Sequence, residues 1–201
     1  TKLLVGADGS YSLVRELAGI ETKDYDFRQT AIVSNVTTQK PNYFTAYERF
    51  TPHGPIAFLP IGNNSSVLVF TVNTDEVNSY LNMTDEEYLE IVENEFGHRL
   101  GKIYKIGERR SYPIYFFEAI HKFQKNLILL GNAAQTLHPN AAQGFNLGLR
   151  DVAGLAECIY LAIEKKIPIN DLSILNRYIE LRNSDQRRVI EFTNGIAKYF
   201  Y

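Results

Sequence analysis

The stretch Asn126-Leu127-Ile128-Leu129-Leu130-Gly131-Asn132-Ala133-Ala134-Gln135-Thr136-Leu137-His138-Pro139-Asn140-Ala141-Ala142-Gln143-Gly144-Phe145-Asn146-Leu147-Gly148 decides how the chain is read. Residues 126–130 form a largely apolar run that stops at Gly131, the pattern of a strand buried on both faces. Small residues follow at once, a proline occupies position 139, and Gly144 stands where a long helix begins. From about Gln143 that helix carries Val152, Leu155, Ala156, Ile159, Ala162 and Ile163 on one face, which is spaced for burial. Small residues between a strand and a helix let backbone approach a ligand closely. The free N–H groups of the helix's first turn can stabilise negative charge on a ring held against them. The competing reading is an ordinary loop with a capped helix.

A second stretch of the same kind opens the chain. The run Leu3–Ala7 ends in Gly6-Ala7-Asp8-Gly9-Ser10-Tyr11-Ser12, followed by a short helical pattern over Leu13–Leu17 that includes Val14 and Arg15. An Asp at the C-terminal end of a strand can accept hydrogen bonds from a ribose or polyol. By itself the segment reads equally well as a turn with Ser12 capping a helix. Two such segments in one chain weaken the ordinary-loop reading of both.

Between them the texture is antiparallel β. Short runs at Ala31–Thr38, Tyr43–Phe50, Ile56–Ile61 and Ser66–Val72 are separated by turn-forming clusters at 40–42, 51–54 and 62–64. Thr84-Asp85-Glu86-Glu87 is a capping box ahead of a helix that buries Tyr88, Leu89, Ile91, Val92 and Phe96. Ile103–Phe117 reads as one strand bent at Pro113, and a last helix from about Asp171 carries Leu172, Leu175, Tyr178 and Ile179. The expected organisation is α/β (α+β). Residues 1–28 and 119–201 belong to one domain whose sheet holds Leu3–Ala7 and residues 126–130, and residues 29–118 form an inserted antiparallel-sheet domain.

Composition narrows the function classes. The 201 residues are 45% apolar, enough for a sizeable core. Lys and Arg number 21 against 23 Asp and Glu, so a nucleic-acid partner is not expected, and Arg109-Arg110 and Arg187-Arg188 read as solvated faces. A lone cysteine, Cys158, excludes an internal disulfide, reads as a small buried hydrophobe and points to a reducing, cytoplasmic setting. The thirteen Tyr and twelve Phe suit a large core or an aromatic-lined pocket. His53, His98, His121 and His138 lack metal-ligand spacing, and no nucleophile elbow or phosphate-binding lysine loop occurs. Glu48-Arg49 is a candidate substrate-side ion pair or an ordinary surface pair. The chain starts at Thr1 inside a strand-like run, so it is expected to be part of a longer protein.

The N-terminal stretch from Gly6 to Arg15 resembles the second flavin motif of the class A aromatic flavoprotein monooxygenases, the para-hydroxybenzoate hydroxylase family. Residues 131–148 resemble their third flavin motif, in the version of the ubiquinone-biosynthetic ring hydroxylases. Asn132 with Gln135, followed by Thr136-Leu137-His138-Pro139, is similar to the 2-polyprenyl-6-methoxyphenol hydroxylase branch. Ala46-Tyr47-Glu48-Arg49-Phe50-Thr51, Gly54-Pro55 and Phe58-Leu59-Pro60 resemble its sheet domain, so the likeness spans nearly the whole chain. Ala142 departs from it, standing where the branch has glycine. The N-terminal Gly-x-Gly-x-x-Gly fingerprint of the family occurs nowhere in these residues.

The resemblance implies an FAD/NAD(P)-binding, Rossmann-like domain with an inserted substrate domain. It implies an FAD-dependent monooxygenase, reduced by NAD(P)H, that hydroxylates a prenylated methoxyphenol with O₂ through a flavin C4a-hydroperoxide. By the same resemblance Asp8 and Gly9 lie near the flavin pyrophosphate and ribityl chain, with Arg15 supporting them. Gly131 and Asn132 meet the ribityl chain, and Pro139 faces the ring. Gly144, Phe145 and Asn146 offer donors to its pyrimidine edge. No side chain is expected to act as a covalent nucleophile or as an acid–base pair. Phe58 and Phe70 are candidates for an apolar groove that takes the prenyl tail. The implied partners are other ubiquinone-biosynthesis proteins and the periphery of the inner membrane. The alternatives are a sister ring hydroxylase acting at another position or on another aromatic, and a non-catalytic binding or assembly module.

Overall fold

The computed structural model describes residues 1–200, with the side chains of Lys198 and Phe200 excepted. In chain order the elements are β1 (Leu4–Gly6), α1 (Leu13–Leu17), β2 (Thr22–Tyr25), β3 (Gln29–Thr38), β4 (Tyr47–Thr51), β5 (Gly54–Pro60) and β6 (Ser65–Asn73). There follow α2 (Val77–Asn82), α3 (Asp85–Phe96), β7 (Ile103–Ile106), β8 (Arg110–Pro113), β9 (Phe116–Ala119), β10 (Phe123–Gln124), β11 (Leu127–Leu129), β12 (Gln135–Thr136), α4 (Gly144–Glu164) and α5 (Leu172–Phe200). The contacts divide the chain into two compact units. Thr1–Tyr25 joins Tyr115–Ala197, and the stretch between them, Asp26–Ile114, forms the other.

In the first unit β1 pairs in parallel with β11, Leu4 opposite Leu127 and Gly6 opposite Leu129, and β10 adds antiparallel to β11. The two strand ends that carry the glycine loops therefore lie side by side. A second small sheet runs β12-β9-β2. Ile128 and Leu130 pack under α4 and α5 with Leu155, Cys158, Ala162, Leu175 and Tyr178. This docking decides which face of α4 is buried. The stripe Leu147, Asp151, Gly154, Leu155, Cys158 and Ala162 is inward, whereas Val152, Ala156 and Ile163, expected on the buried face, are exposed. The register follows from close approach at Gly154, where an added Cβ would fall 2.7 Å from Arg182 Cδ. Likewise Leu172 is exposed, while Leu175 and Tyr178 are buried.

The second unit is an antiparallel sheet, β4-β5-β6-β3-β7 with β8 also on β3, covered on one face by α2 and α3. Ile32, Ile56, Leu68 and Phe70 alternate onto the covered face and meet Tyr88, Val92 and Phe96 of α3. The capping box at Thr84 is complete: its hydroxyl accepts from Glu87 N, and the Glu87 carboxylate accepts from Thr84 N at 3.0 Å. Arg109 closes the end of α2, donating to the carbonyls of Tyr80 (2.8 Å) and Met83 (2.6 Å).

Two expectations change here. Ile103–Phe117 is three strands rather than one. The β7 register on β3 shifts between Thr37 and Thr38, β8 pairs with β3 further along, and β9 joins the other unit's sheet. Pro113 sits at the end of β8, whose residues are all exposed, where a missing N–H costs nothing. Tyr43 and Phe44 are not in a strand, because both are left-handed, with φ of 51° and 57°. Among the described residues no helix is long and apolar enough to cross a membrane.

Candidate functional site

The two loops at the ends of β1 and β11 form the candidate site, and each is held by its own short-range chemistry. In the first, Asp8 accepts from Ser12 Oγ (2.5 Å) and Val14 N (3.1 Å), while Ser12 Oγ accepts from Arg15 N (3.0 Å) and caps α1. The Ser12 hydroxyl and then the Val14 amide hold the Asp8 carboxyl below its ordinary value, so it is ionised at neutral pH. Asp8 thus serves first as the loop's internal staple, although its carboxylate remains exposed. Gly9 has φ +88° with nothing within 4 Å of where a Cβ would stand, leaving its backbone face open.

Arg15 joins the first loop to the second. Its guanidinium donates to Ser10 O (2.8 Å) and to Ala133 O (2.9 Å), and lies 4.5 Å from the centroid of the Phe117 ring in β9. The bridge spans 118 positions of sequence and fixes the spacing of the two glycine loops.

In the second loop Gly131 turns with φ +56° into a 3-10 turn over Gly131–Ala133. Gly148, in the second turn of α4, comes close to it, since a Cβ there would stand 3.4 Å from Gly131 Cα. Asn132, Pro139, Phe145 and Asn146 have exposed side chains, and Gly144 has open space around it. No side chain caps α4, so the first-turn N–H groups of this 21-residue helix sit at the end of its dipole without a capping acceptor. Ala142 is left-handed, with φ 48° and ψ 30°, the conformation that glycine adopts without strain.

A buried polar network holds this loop from behind. Asp151 of α4 is fully buried; its Oδ1 accepts from Arg182 Nε (2.8 Å) and Gln186 Nε2 (2.9 Å) of α5. Its Oδ2 accepts from Gln135 Nε2 at 3.3 Å, so the pair Gln135–Asp151 ties together the two ends of the segment that contains Pro139. Asp185 receives Arg182 and Arg150. At the loop's tip Asn140 Nδ2 donates to Thr193 O of α5 (3.1 Å), and His138 Nδ1 accepts from Asn140 N. His138 is buried, and burial pushes its imidazole down to about 4, so it is neutral at pH 7.

The sequence pattern gave Asp151 no role and did not single out Arg182, Asp185 and Gln186. The available signal was their place on α5, at helical spacing from Leu175 and Tyr178, where polar residues interrupt an apolar stripe. Phe58 and Phe70 are 1% and 2% exposed and lie in the core of the second unit. Phe58 packs on Phe96, and Phe70 packs edge-on against Tyr80 and Tyr88, which leaves no ring surface for a groove. Glu48 and Arg49 do not pair. They alternate to opposite faces of β4, and Arg49 donates to Phe96 O at the end of α3 (2.9 Å). Cys158 is buried.

Comparison with known proteins identifies the family of the chain. The family described as FAD binding domain matches residues 1–193. Ubiquinone hydroxylase UbiL of Rhodospirillum rubrum is 38% identical over 199 residues, covering 99% of this chain and 46% of its own length. The 3-demethoxyubiquinol 3-hydroxylase of Escherichia coli is 32% identical over 92% of this chain and 47% of its own. The chain thus spans about half the length of these relatives. Among solved structures, PqsL of Pseudomonas aeruginosa, described as a probable FAD-dependent monooxygenase, superposes with a TM-score of 0.82 over 99% of this chain and 56% of its own. At 21% identity that likeness establishes the fold.

Proposed function

This chain belongs to the family of FAD-binding domains, and from that premise we propose that the full-length protein is an FAD-dependent monooxygenase that hydroxylates the aromatic ring of a prenylated phenol in ubiquinone biosynthesis. The observation that carries the reading is the pair of glycine loops at adjacent parallel strand ends, bridged by Arg15 and met by the uncapped start of α4.

The residues fit the cofactor. Gly9 and Gly131 leave open backbone faces, Asn132 presents an exposed amide, and the N–H groups of Gly144, Phe145 and Asn146 point out of a long helix's positive end. FAD bound there would pass reducing equivalents from NAD(P)H to O₂ and deliver one oxygen atom to an electron-rich ring. Asn132 would hold the ribityl chain with a neutral amide, Pro139 would face the ring, and the start of α4 would stabilise negative charge on its pyrimidine edge. Asp8 and Arg15 act indirectly by setting the shape and spacing of the loops. The network behind Asp151 is assigned to positioning, because it meets the loop through the hydrogen bond from Gln135.

In the second unit the sheet face opposite α2 and α3 carries Val33, Ala57, Leu59, Val67 and Val69, cross-strand neighbours that are incompletely buried. This face is a better support for an apolar tail than Phe58 and Phe70. Glu48, directly opposite Ala57, lies on the same face, and desolvation holds its carboxyl above the ordinary carboxylate value.

The test uses the full-length protein. It should purify with non-covalent FAD that acid precipitation releases, and should oxidise NAD(P)H while placing one atom of labelled O₂ in a prenylated phenol. Asn132→Leu should weaken FAD binding roughly 5- to 150-fold, the effect of ~1–3 kcal/mol for a lost hydrogen bond with its partner left unpaired. Unaltered FAD affinity in a folded Asn132→Leu protein removes that residue from the site. Product oxygen derived from water overturns the reaction class.

A further inference from the structure

We propose that one end of the antiparallel sheet, built from residues 38–45, 61–65 and 98–102, is a docking surface for an anionic lipid bilayer. The three loops are joined backbone to backbone. Thr38 N donates to Asn64 O (2.8 Å), Gln39 N to Lys102 O (2.8 Å), Lys40 N to Leu100 O (2.9 Å) and Asn42 N to Asn63 O (2.8 Å). Asn42, fully buried, is the keystone. Its Nδ2 donates to Gly62 O (2.7 Å) and Ser65 O (3.1 Å), and its Oδ1 accepts from Phe44 N (2.9 Å).

This scaffold holds Tyr43 and Phe44 in consecutive left-handed conformations, φ 51° and 57°. Bulky residues rarely adopt that region, and a loop that needed only to turn would carry Gly or Asn there. The result is two aromatic side chains directed into solvent, 76% and 74% exposed, beside Ile61, which is 59% exposed on the adjoining loop. A pre-ordered backbone that presents bulky apolar tips is suited to burying them in something external.

The charge around these tips selects the partner. Lys40, Arg99 and Lys102 are exposed, and residues 38–45, 61–65 and 98–102 include no Asp or Glu. The elements that lead into these loops carry Glu93 and Glu95 on α3 and Glu48 on β4, and Glu93 is engaged by Ile103 N at 2.6 Å. Aromatic rings favour the headgroup–acyl boundary, and lysine and arginine are drawn to anionic headgroups. The centres of protein–protein interfaces, by contrast, are depleted of lysine. A few aromatic and aliphatic tips on loops whose charges are all cationic therefore match a bilayer better than a protein surface. The docking rests on these loops alone; only its purpose, access to a prenylated ring held in lipid, rests on the function proposed above.

Co-sedimentation of the full-length protein with vesicles tests the proposal. Phosphatidylcholine vesicles containing a minor fraction of phosphatidylserine should bind it, phosphatidylcholine alone much less, and added salt should release it. Replacing both aromatics as Tyr43→Asn/Phe44→Asn keeps residues that tolerate the left-handed backbone and should lower partitioning about ten-fold or more. Lys40→Gln/Lys102→Gln should lower binding to the anionic vesicles about five-fold per charge and leave the neutral vesicles unaffected. FAD content and melting temperature serve as the fold control and should not change in either variant. Equal binding by wild type and both variants, or no preference for anionic vesicles, overturns the proposal. So does a wild type that ignores vesicles but forms a dimer in sedimentation velocity that Tyr43→Asn/Phe44→Asn abolishes, which reassigns the loops to a second copy. None of these results touches the flavin reading, which has its own cofactor test.

Discussion

The two units solve the same problem of burial by different means. The second closes an apolar core between antiparallel strands and two helices, with Ile32, Ile56, Phe58, Leu68, Phe70 and Tyr88 all essentially inaccessible. Two of its pairings join neighbours in sequence, β4 to β5 and β5 to β6, while β3 pairs with β6, β7 and β8. The first unit is assembled from the two ends of the chain. Its parallel pair brings together strands more than a hundred residues apart, and it relies on long-range polar links, the half-buried Arg15 to Ala133 O and the buried Asp151 to Arg182 and Gln186. It also leaves Leu4, Leu13, Leu17, Phe145 and Leu149 exposed. Around its glycine loops this unit keeps its backbone open, and long-range polar ties replace part of the apolar packing that the sheet unit has in full.

The strongest way to break this contrast is Arg182→Met. It leaves the buried carboxylate of Asp151 short of its charged partner, and the expected loss is ~3–5 kcal/mol. Urea unfolding of the full-length protein should report it, with hydrogen exchange accelerated in α4 and α5 and not in β3 to β6. An unchanged midpoint would show that the network does not hold the first unit together.

Acid should separate the units next. His138 has its pKa lowered to about 4 from 6.5 by burial. The unfolded chain therefore takes up the proton first as pH falls. Stability of the first unit should decline between pH 6.5 and 4, by up to about 3 kcal/mol. A pH series of unfolding midpoints measures the slope, and His138→Gln should flatten it. Equal slopes in both proteins would mean that His138 is already solvated.

The smaller predictions sharpen the picture within each unit. Thr84→Ala removes the capping box of α3 and should cost ~1 kcal/mol, read as a lower melting temperature with FAD affinity unchanged. Ala142→Gly relieves a left-handed alanine in the second loop and should stabilise by ~0.5–1 kcal/mol after the added flexibility of the unfolded chain is counted. A lower melting temperature for Ala142→Gly would mean that the methyl group packs usefully in this loop.

Much of this was legible because it is local. The capping box at Thr84, Ser12 as the cap of α1 and the start of α4 near Gln143 depend on residues within a few positions of one another. The two glycine loops stood out for the same reason, since small residues and a helix start lie in one continuous stretch. The buried face of α4 was misjudged because Val152 and Ile163 are as apolar as Leu155, and periodicity does not say where α5 will dock. Phe58 and Phe70 were ambiguous between core and groove on hydrophobicity alone; the position of α3 makes them core.

Sequence by itself determined the alternation of strand and helix, the two loop motifs and the order in which a β-rich block interrupts an α/β domain. These follow from periodicity, glycine and proline placement and capping, interactions that span a turn or two. Only the tertiary structure decided that Gln135 meets Asp151, that Asp151 meets Arg182 31 positions away, and that Arg15 spans 118 positions to fix the spacing of the two loops. It also decided that Asn42, buried by a neighbouring turn, holds Tyr43 and Phe44 in the left-handed region. Each of these depends on which distant segment arrives, because a hydrogen bond or a buried charge is satisfied by geometry in space and leaves no periodic trace along the chain.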